Sequence, residues 1–116
     1  MTDPVTGSGS DWLRQVMPHF LEQTKNRLTE IKAQQQAIHD GSDAFAAMKA
    51  ISDVAHKISG TADTFGFHDL GAFAQNIEAV WSTRSQGGKD TMVMWSSMER
   101  AMTPLIHEIT NLLEPK

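Results

Sequence analysis

Apolar residues recur along most of this chain at gaps of three, four and seven, the spacing that lines up side chains on one face of a helix. Between Pro18 and His39 they are Phe20, Leu21, Leu28, Ile31 and Ile38, with Thr24 as a half-apolar member. From Asp43 to about Phe65 the stripe is Ala44, Ala47, Ile51, Val54, Ala55, Ile58, Ala62 and Phe65. A third set, Leu70, Phe73, Ile77, Val80 and Trp81, fits a helix from Asp69 to about Arg84. Asp90 opens the last pattern, which carries Met92, Trp95, Met98, Met102, Leu105, Ile109 and Leu112. No window alternates with the period of a strand, and no repeat of fixed length occurs.

The residues between these stripes are helix stops and starts. Asp40-Gly41-Ser42-Asp43 ends one helix and caps the next. Gly66 stands where a C-terminal cap places glycine, and Gly87-Gly88 breaks the chain again. Pro18 and Pro104 lie inside helical patterns, where a proline either restarts a helix or kinks it, Thr103 being the cap for a restart. Ahead of Pro18, Ser10 or Asp11 can cap a short helix over Trp12–Met17. Residues 1–10 are rich in Thr, Gly, Ser and Pro and read as a flexible lead-in. The expectation is an all-α fold over residues 11–116: an antiparallel up-down four-helix bundle. A short extra N-terminal helix, anchored by Trp12, lies across one end.

Composition narrows the function. The chain has 116 residues, one domain's length, and is large enough to bury a core without staples. It has no Cys, which removes disulfides, thiol nucleophiles and thiolate metal sites. The formal charge is −4 and no basic tract occurs, which argues against nucleic-acid binding. No apolar run approaches the length of a membrane span, and the first ten residues lack the basic and apolar regions of a secretory signal. A cytoplasmic protein is the expectation.

Reactive chemistry then rests on five histidines, His19, His39, His56, His68 and His107. No Glu is followed by His three residues later, and no His-x-x-x-His occurs, so the helical spacings that hold metals are missing. No Gly-x-Ser-x-Gly elbow occurs for a serine nucleophile. His56 stands apart. At about 100° per residue it points away from Ile51, Val54, Ile58, Ala62 and Phe65. It shares its side of the helix with Lys49, Ser52, Asp53, Ser59, Gly60 and Asp63. A solvated surface histidine is the plain reading of that position. Against it, Gly60 lies one turn beyond on the same side, inside a helix where glycine costs about 1 kcal/mol relative to alanine. A bare helix surface there admits a partner. Phe45 falls towards the same side two to three turns back, either as a helix-end contact with the Pro18–His39 helix or as part of a docking patch. Met48, Met92, Met94, Met98 and Met102 read as core filler.

The run Ala55-His56-Lys57-Ile58-Ser59-Gly60-Thr61-Ala62-Asp63-Thr64-Phe65-Gly66-Phe67 resembles the signature of histidine-containing phosphotransfer (HPt) domains, including the phosphoacceptor domains of chemotaxis-type histidine kinases. The resemblance covers about Ile51 to Val80, with Leu70 and Ile77-Glu78 in the places the family's second helix provides. It implies that His56 is phosphorylated, that Gly60 gives a partner's active site room, and that Gly66 makes the turn between the central helices. It also implies that Glu78 hydrogen-bonds the imidazole. A carboxylate on Nδ1–H fixes the tautomer and leaves the Nε2 lone pair free to attack phosphorus. The helix heights agree, since His56 is ten residues before Gly66 and Glu78 nine after Asp69. Small residues at Gly71 and Ala74 allow close approach. One position departs from the family: Ser59 stands where a Lys is usual. Lys57 is adjacent but about 100° round the helix, and Lys49, two turns back, can compensate.

The implied function is a phosphorelay intermediate. His56 takes a phosphoryl group from a histidine kinase, possibly a hybrid one, or from its receiver domain. It then donates to an Asp of a response-regulator receiver. No cofactor is implied for this chain, the receiver supplying Mg²⁺, and no glycine-rich nucleotide loop gives it ATP-dependent activity of its own. A monomer is expected, with neither membrane nor nucleic acid as partner. Two alternatives stand beside this reading. One is the N-terminal phosphoacceptor domain of a chemotaxis-type kinase, which Glu78 and Thr64-Phe65-Gly66-Phe67 favour and the start and close of the chain disfavour. The other is a helical adaptor that has lost transfer, which Ser59 alone supports.

Overall fold

The computed structural model describes residues 4–41, 43–87 and 91–114. Four helices follow in order: α1 (Pro4–His39), α2 (Ala44–Thr64), α3 (His68–Gly87) and α4 (Thr91–Leu113). Among the described residues there is no strand. Successive helices pack side by side, most extensively α2 on α3, and α1 meets α4 to close the ring. This is the antiparallel four-helix bundle that the apolar spacing predicts.

The core is drawn from the predicted stripes. Ile31, Met48, Ile51, Ile77, Met98, Met102, Leu105 and Ile109 are fully enclosed. Thr24 is buried as well, its hydroxyl donating to the Phe20 carbonyl at 2.8 Å. That bond satisfies a hydroxyl that would otherwise cost free energy in an apolar setting. Met92 departs from the pattern: it was expected as core filler and is 71% exposed. It sits in the first turn of α4, at the edge of the stripe.

The N-terminal part differs from the expectation of a separate short helix. α1 is one helix of 36 residues with Pro18 inside it, and it starts at Pro4, so residues 4–10 are helical where a lead-in was expected. Pro18 removes one backbone hydrogen bond, to the Arg14 carbonyl, without ending the helix. Phe20 packs at the α2–α3 turn, and Met17, one turn earlier, still packs against the core. The place expected for the Trp12 side chain lies outside the described residues, as does Asp90. Pro104 likewise lies within an unbroken α4. Thr103 is not a cap there; its hydroxyl donates to the Glu99 carbonyl at 2.9 Å.

Both turns that frame α2 follow from local chemistry. Asp43 caps its start, its carboxylate accepting from the Ala46 N–H at 3.2 Å. At its end Gly66 takes φ +82°, the left-handed conformation that costs other residues. The Gly66 N–H then reaches the Asp63 carbonyl and the Phe67 N–H the Ala62 carbonyl, at 3.1 and 2.9 Å. This paired closure satisfies the last carbonyls of the helix. It also throws Phe65 and Phe67 onto Phe20, with ring centroids 4.6 and 5.2 Å away. Gly66→Ala should therefore lower stability by about 1–2 kcal/mol through the left-handed penalty. A urea midpoint equal to that of the parent protein would show that the turn tolerates another geometry.

Candidate functional site

The centre of α2 faces two ways. Ala55, Ile58 and Ala62 are buried, while His56, one residue on from Ala55, turns outward. The His56 side chain is 78% exposed, so it is not a core histidine. Across from it on α3 stands Glu78, whose side chain is 27% exposed. The two come together because the α2–α3 turn is short and both residues lie about equally far from it. Their helices can approach because the contact is made of small side chains: Ala55, Ser59 and Ala62 on one, Gly71 and Ala74 on the other. At Gly71 a Cβ would fall 2.9 Å from the Asp63 Oδ1 and 3.7 Å from the Ala62 Cβ.

His56 Nδ1 lies 2.7 Å from Glu78 Oε1. An ionised carboxylate only accepts, so Nδ1 carries the proton and donates it. The neutral ring then has its lone pair on Nε2, on the solvent side. The other carboxylate oxygen, Oε2, accepts from the Ser59 hydroxyl at 3.1 Å. Ser59 Oγ is also 2.9 Å from the His56 carbonyl. Both oxygens of Glu78 are thus engaged by α2.

The surroundings sort the other candidate residues. A Cβ on Gly60 would meet nothing within 4 Å, so the helix surface one turn beyond His56 is bare. Lys57 is exposed beside it. Lys49 is exposed too, but its Nζ pairs with Asp53 Oδ2 at 3.2 Å, one turn along its own helix. Asp63 is exposed and turned towards α3, with Oδ1 3.7 Å from His68 Nδ1. Phe45 packs on Trp81 of α3, with centroids 4.9 Å apart and 46% of the residue exposed. Phe45 and Trp81 therefore lie over the same α2–α3 seam as His56 and Glu78; at 1.5 Å per residue the backbone of Phe45 is about 16 Å along α2 from His56, and that of Trp81 about 4–5 Å along α3 from Glu78.

Ser59 and Ser52 correct the sequence reading. Both were placed on the accessible side with His56, and they are only 7% and 6% exposed. Ser59 follows Ala55 by four residues and precedes Ala62 by three, so it belongs to the interface stripe. That spacing is the signal which identifies it, and its hydrogen bond to Glu78 is the feature the sequence reading lacked.

A family model for the Hpt domain matches residues 15–114. The chain belongs to the Hpt domain family. Neither the curated proteins nor the solved structures contain a match to the chain. Hpt domains carry out histidine phosphotransfer in phosphorelays, typically with kinases and receiver domains. In this Hpt domain no helix among the described residues is long and apolar enough to cross a membrane. No group of three or more His, Cys, Asp or Glu among them is placed to hold a metal ion.

The site geometry carries its own expectation. In Glu78→Ala the bundle should stay folded, because the removed side chain lies at the rim of the α2–α3 contact. The ring should lose its bias towards the Nδ1–H tautomer. The ¹⁵N shifts of the neutral His56 ring measure this directly. Identical shifts in the parent and variant proteins would show that the carboxylate does not set the tautomer.

Proposed function

We propose that His56 is the phosphoacceptor of this Hpt domain and that the chain is a phosphorelay intermediate. The observation that carries the reading is the 2.7 Å contact between His56 Nδ1 and Glu78 on an otherwise exposed imidazole. A nucleophile for a protein-bound phosphoryl group has to be reachable by another protein and held in one tautomer. His56 meets both conditions. His19, by contrast, has only an exposed contact with Gln23 of its own helix, at 3.2 Å.

The incoming group would come from a histidine kinase or from the aspartyl phosphate of a receiver domain. The Nε2 lone pair forms the N–P bond as the donor's bond to phosphorus breaks, and the leaving group, the receiver's aspartate carboxylate or the ADP of a kinase's ATP site, departs with that electron pair. The ring keeps its Nδ1 proton and becomes cationic. Glu78 stabilises that charge at short range, in a position shielded enough for the attraction to exceed that of a fully exposed pair. Transfer to an Asp of a response-regulator receiver reverses these steps. The receiver would supply Mg²⁺ and most of the stabilisation of the transferring group. Gly60 leaves room for its active-site loops. Such a carrier would work in the cytoplasm as a monomer. The adaptor alternative has Ser59 as its single support; in favour of the carrier reading, Ser59 donates a hydrogen bond to Glu78.

His56→Gln should fold with an unchanged helical circular-dichroism spectrum and take no phosphate. Mass spectrometry of the parent protein, after labelling, should find one acid-labile, base-stable phosphate, on His56. Phosphate on any other histidine overturns the assignment. Gly60→Gln makes a separate test of the approach surface. It should match or exceed the parent's stability, by up to about 1 kcal/mol, because glycine is the poorer helix former. It should also slow transfer from a phosphorylated receiver domain while leaving reaction with the small donor phosphoramidate unchanged. Equal transfer from the receiver would show that no partner passes over Gly60.

A further inference from the structure

We infer that Ser59 is a positioning residue for His56, acting through the second oxygen of Glu78. The inference rests on the phosphoacceptor reading above and names a residue that reading does not need. Ser59 is 7% exposed, so it cannot act by touching a bulky donor protein. Its hydroxyl has one proton and two acceptors in reach, Glu78 Oε2 at 3.1 Å and the His56 carbonyl at 2.9 Å. With that proton on the carbonyl alone, a hydroxyl lone pair would face an anionic oxygen. Donation towards Glu78 removes the repulsion, so the carboxylate itself draws the hydroxyl into place.

The consequence is geometric. A glutamate side chain has three rotatable bonds, and ordering it costs rotamer freedom. One hydrogen bond to an exposed imidazole leaves the carboxylate free to swing to water. A second, from a hydroxyl fixed in the helix interface, holds both oxygens and keeps Oε1 opposite Nδ1. Ser59 and His56 are three residues apart on one helix, so the two donors that grip Glu78 have a fixed spacing. Serine holds the carboxylate without competing for its charge.

The test uses the full chain with Ser59→Ala and Ser59→Thr. In Ser59→Ala the neutral His56 ring, observed by ¹⁵N NMR at about pH 8.5, above the usual imidazole range, should show a mixed tautomer population. Its Nδ1 proton should exchange faster with water. Labelling by phosphoramidate should slow by about 3- to 10-fold, the change that losing one hydrogen bond of ordinary net strength brings. Ser59→Thr keeps the hydroxyl and should restore both readouts, which a purely packing role would not do. Unchanged ring shifts and rate in Ser59→Ala overturn the inference, as does failure of Ser59→Thr to recover either in a folded protein. If the parent protein takes no phosphate from phosphoramidate or from a receiver, the phosphoacceptor reading fails. The ring shifts then still decide whether Ser59 positions His56.

Discussion

The close contact between α2 and α3 is the constraint on which the site depends. A histidine and a glutamate 22 residues apart in sequence meet at 2.7 Å only if two helix axes run near each other at one height. Glycine and alanine supply the nearness. At Gly71 there is no space for even a methyl group unless Asp63 moves. The turn at Gly66 supplies the height, by closing α2 in a left-handed conformation and starting α3 two residues later. Phe20 of α1 then locks that turn by packing at a tilt on Phe65 and stacking on Phe67, so that burial and ring geometry act together. Aromatic packing at the bundle end and imidazole chemistry at mid-height are therefore parts of one mechanical unit.

Within that unit Glu78 is the residue under tension between two demands. A carboxylate at a helix interface needs hydrogen-bond donors, because a partly desolvated charge without them is costly. A carboxylate that orients a nucleophile must also keep one oxygen committed to it. Two donors from α2, the His56 ring and the Ser59 hydroxyl, meet both demands. This explains why the interface stripe of α2 carries a serine between Ala55 and Ala62, where packing alone would accept a third alanine.

Most of this arrangement was legible in the sequence, for reasons that differ by element. The stripes of α2, α3 and α4 are long and regular, so period alone separates helix from strand. The glycine at position 66 and the aspartate at position 43 sit at the ends of those stripes, where caps have few alternatives. His56 stands out because it leaves the stripe, and Glu78 follows from the resemblance to the HPt signature, with which its equal distance from the turn agrees. What was not legible follows a different logic. Pro18 forbids one hydrogen bond, but whether the helix survives depends on the neighbouring bonds, which a pattern does not reveal. Ser59 lies about 60° round the helix from His56 and about 40° from Ala55, on the boundary between the two faces, which angle alone does not resolve. Phe45 had no partner in its own helix, and Trp81 lies 36 residues away. Each miss involved a choice that tertiary contact makes and local spacing leaves open.

With His56 as the proposed phosphoacceptor, the same geometry limits what this chain would contribute to phosphoryl transfer. The transferring group is anionic, and positive charge close to it lowers the barrier. Near His56 that charge is sparse: Lys49 already pairs with Asp53, and Lys57 points about 100° away round the helix. The carboxylate of Glu78 adds negative charge on the far side of the ring, where it favours a cationic imidazole rather than an incoming phosphate. Such a site makes the nucleophile better and leaves the electrophile to others. A partner that brings its own cations to the phosphoryl group meets an exposed ring, a bare helix surface at Gly60 and little like charge to repel it.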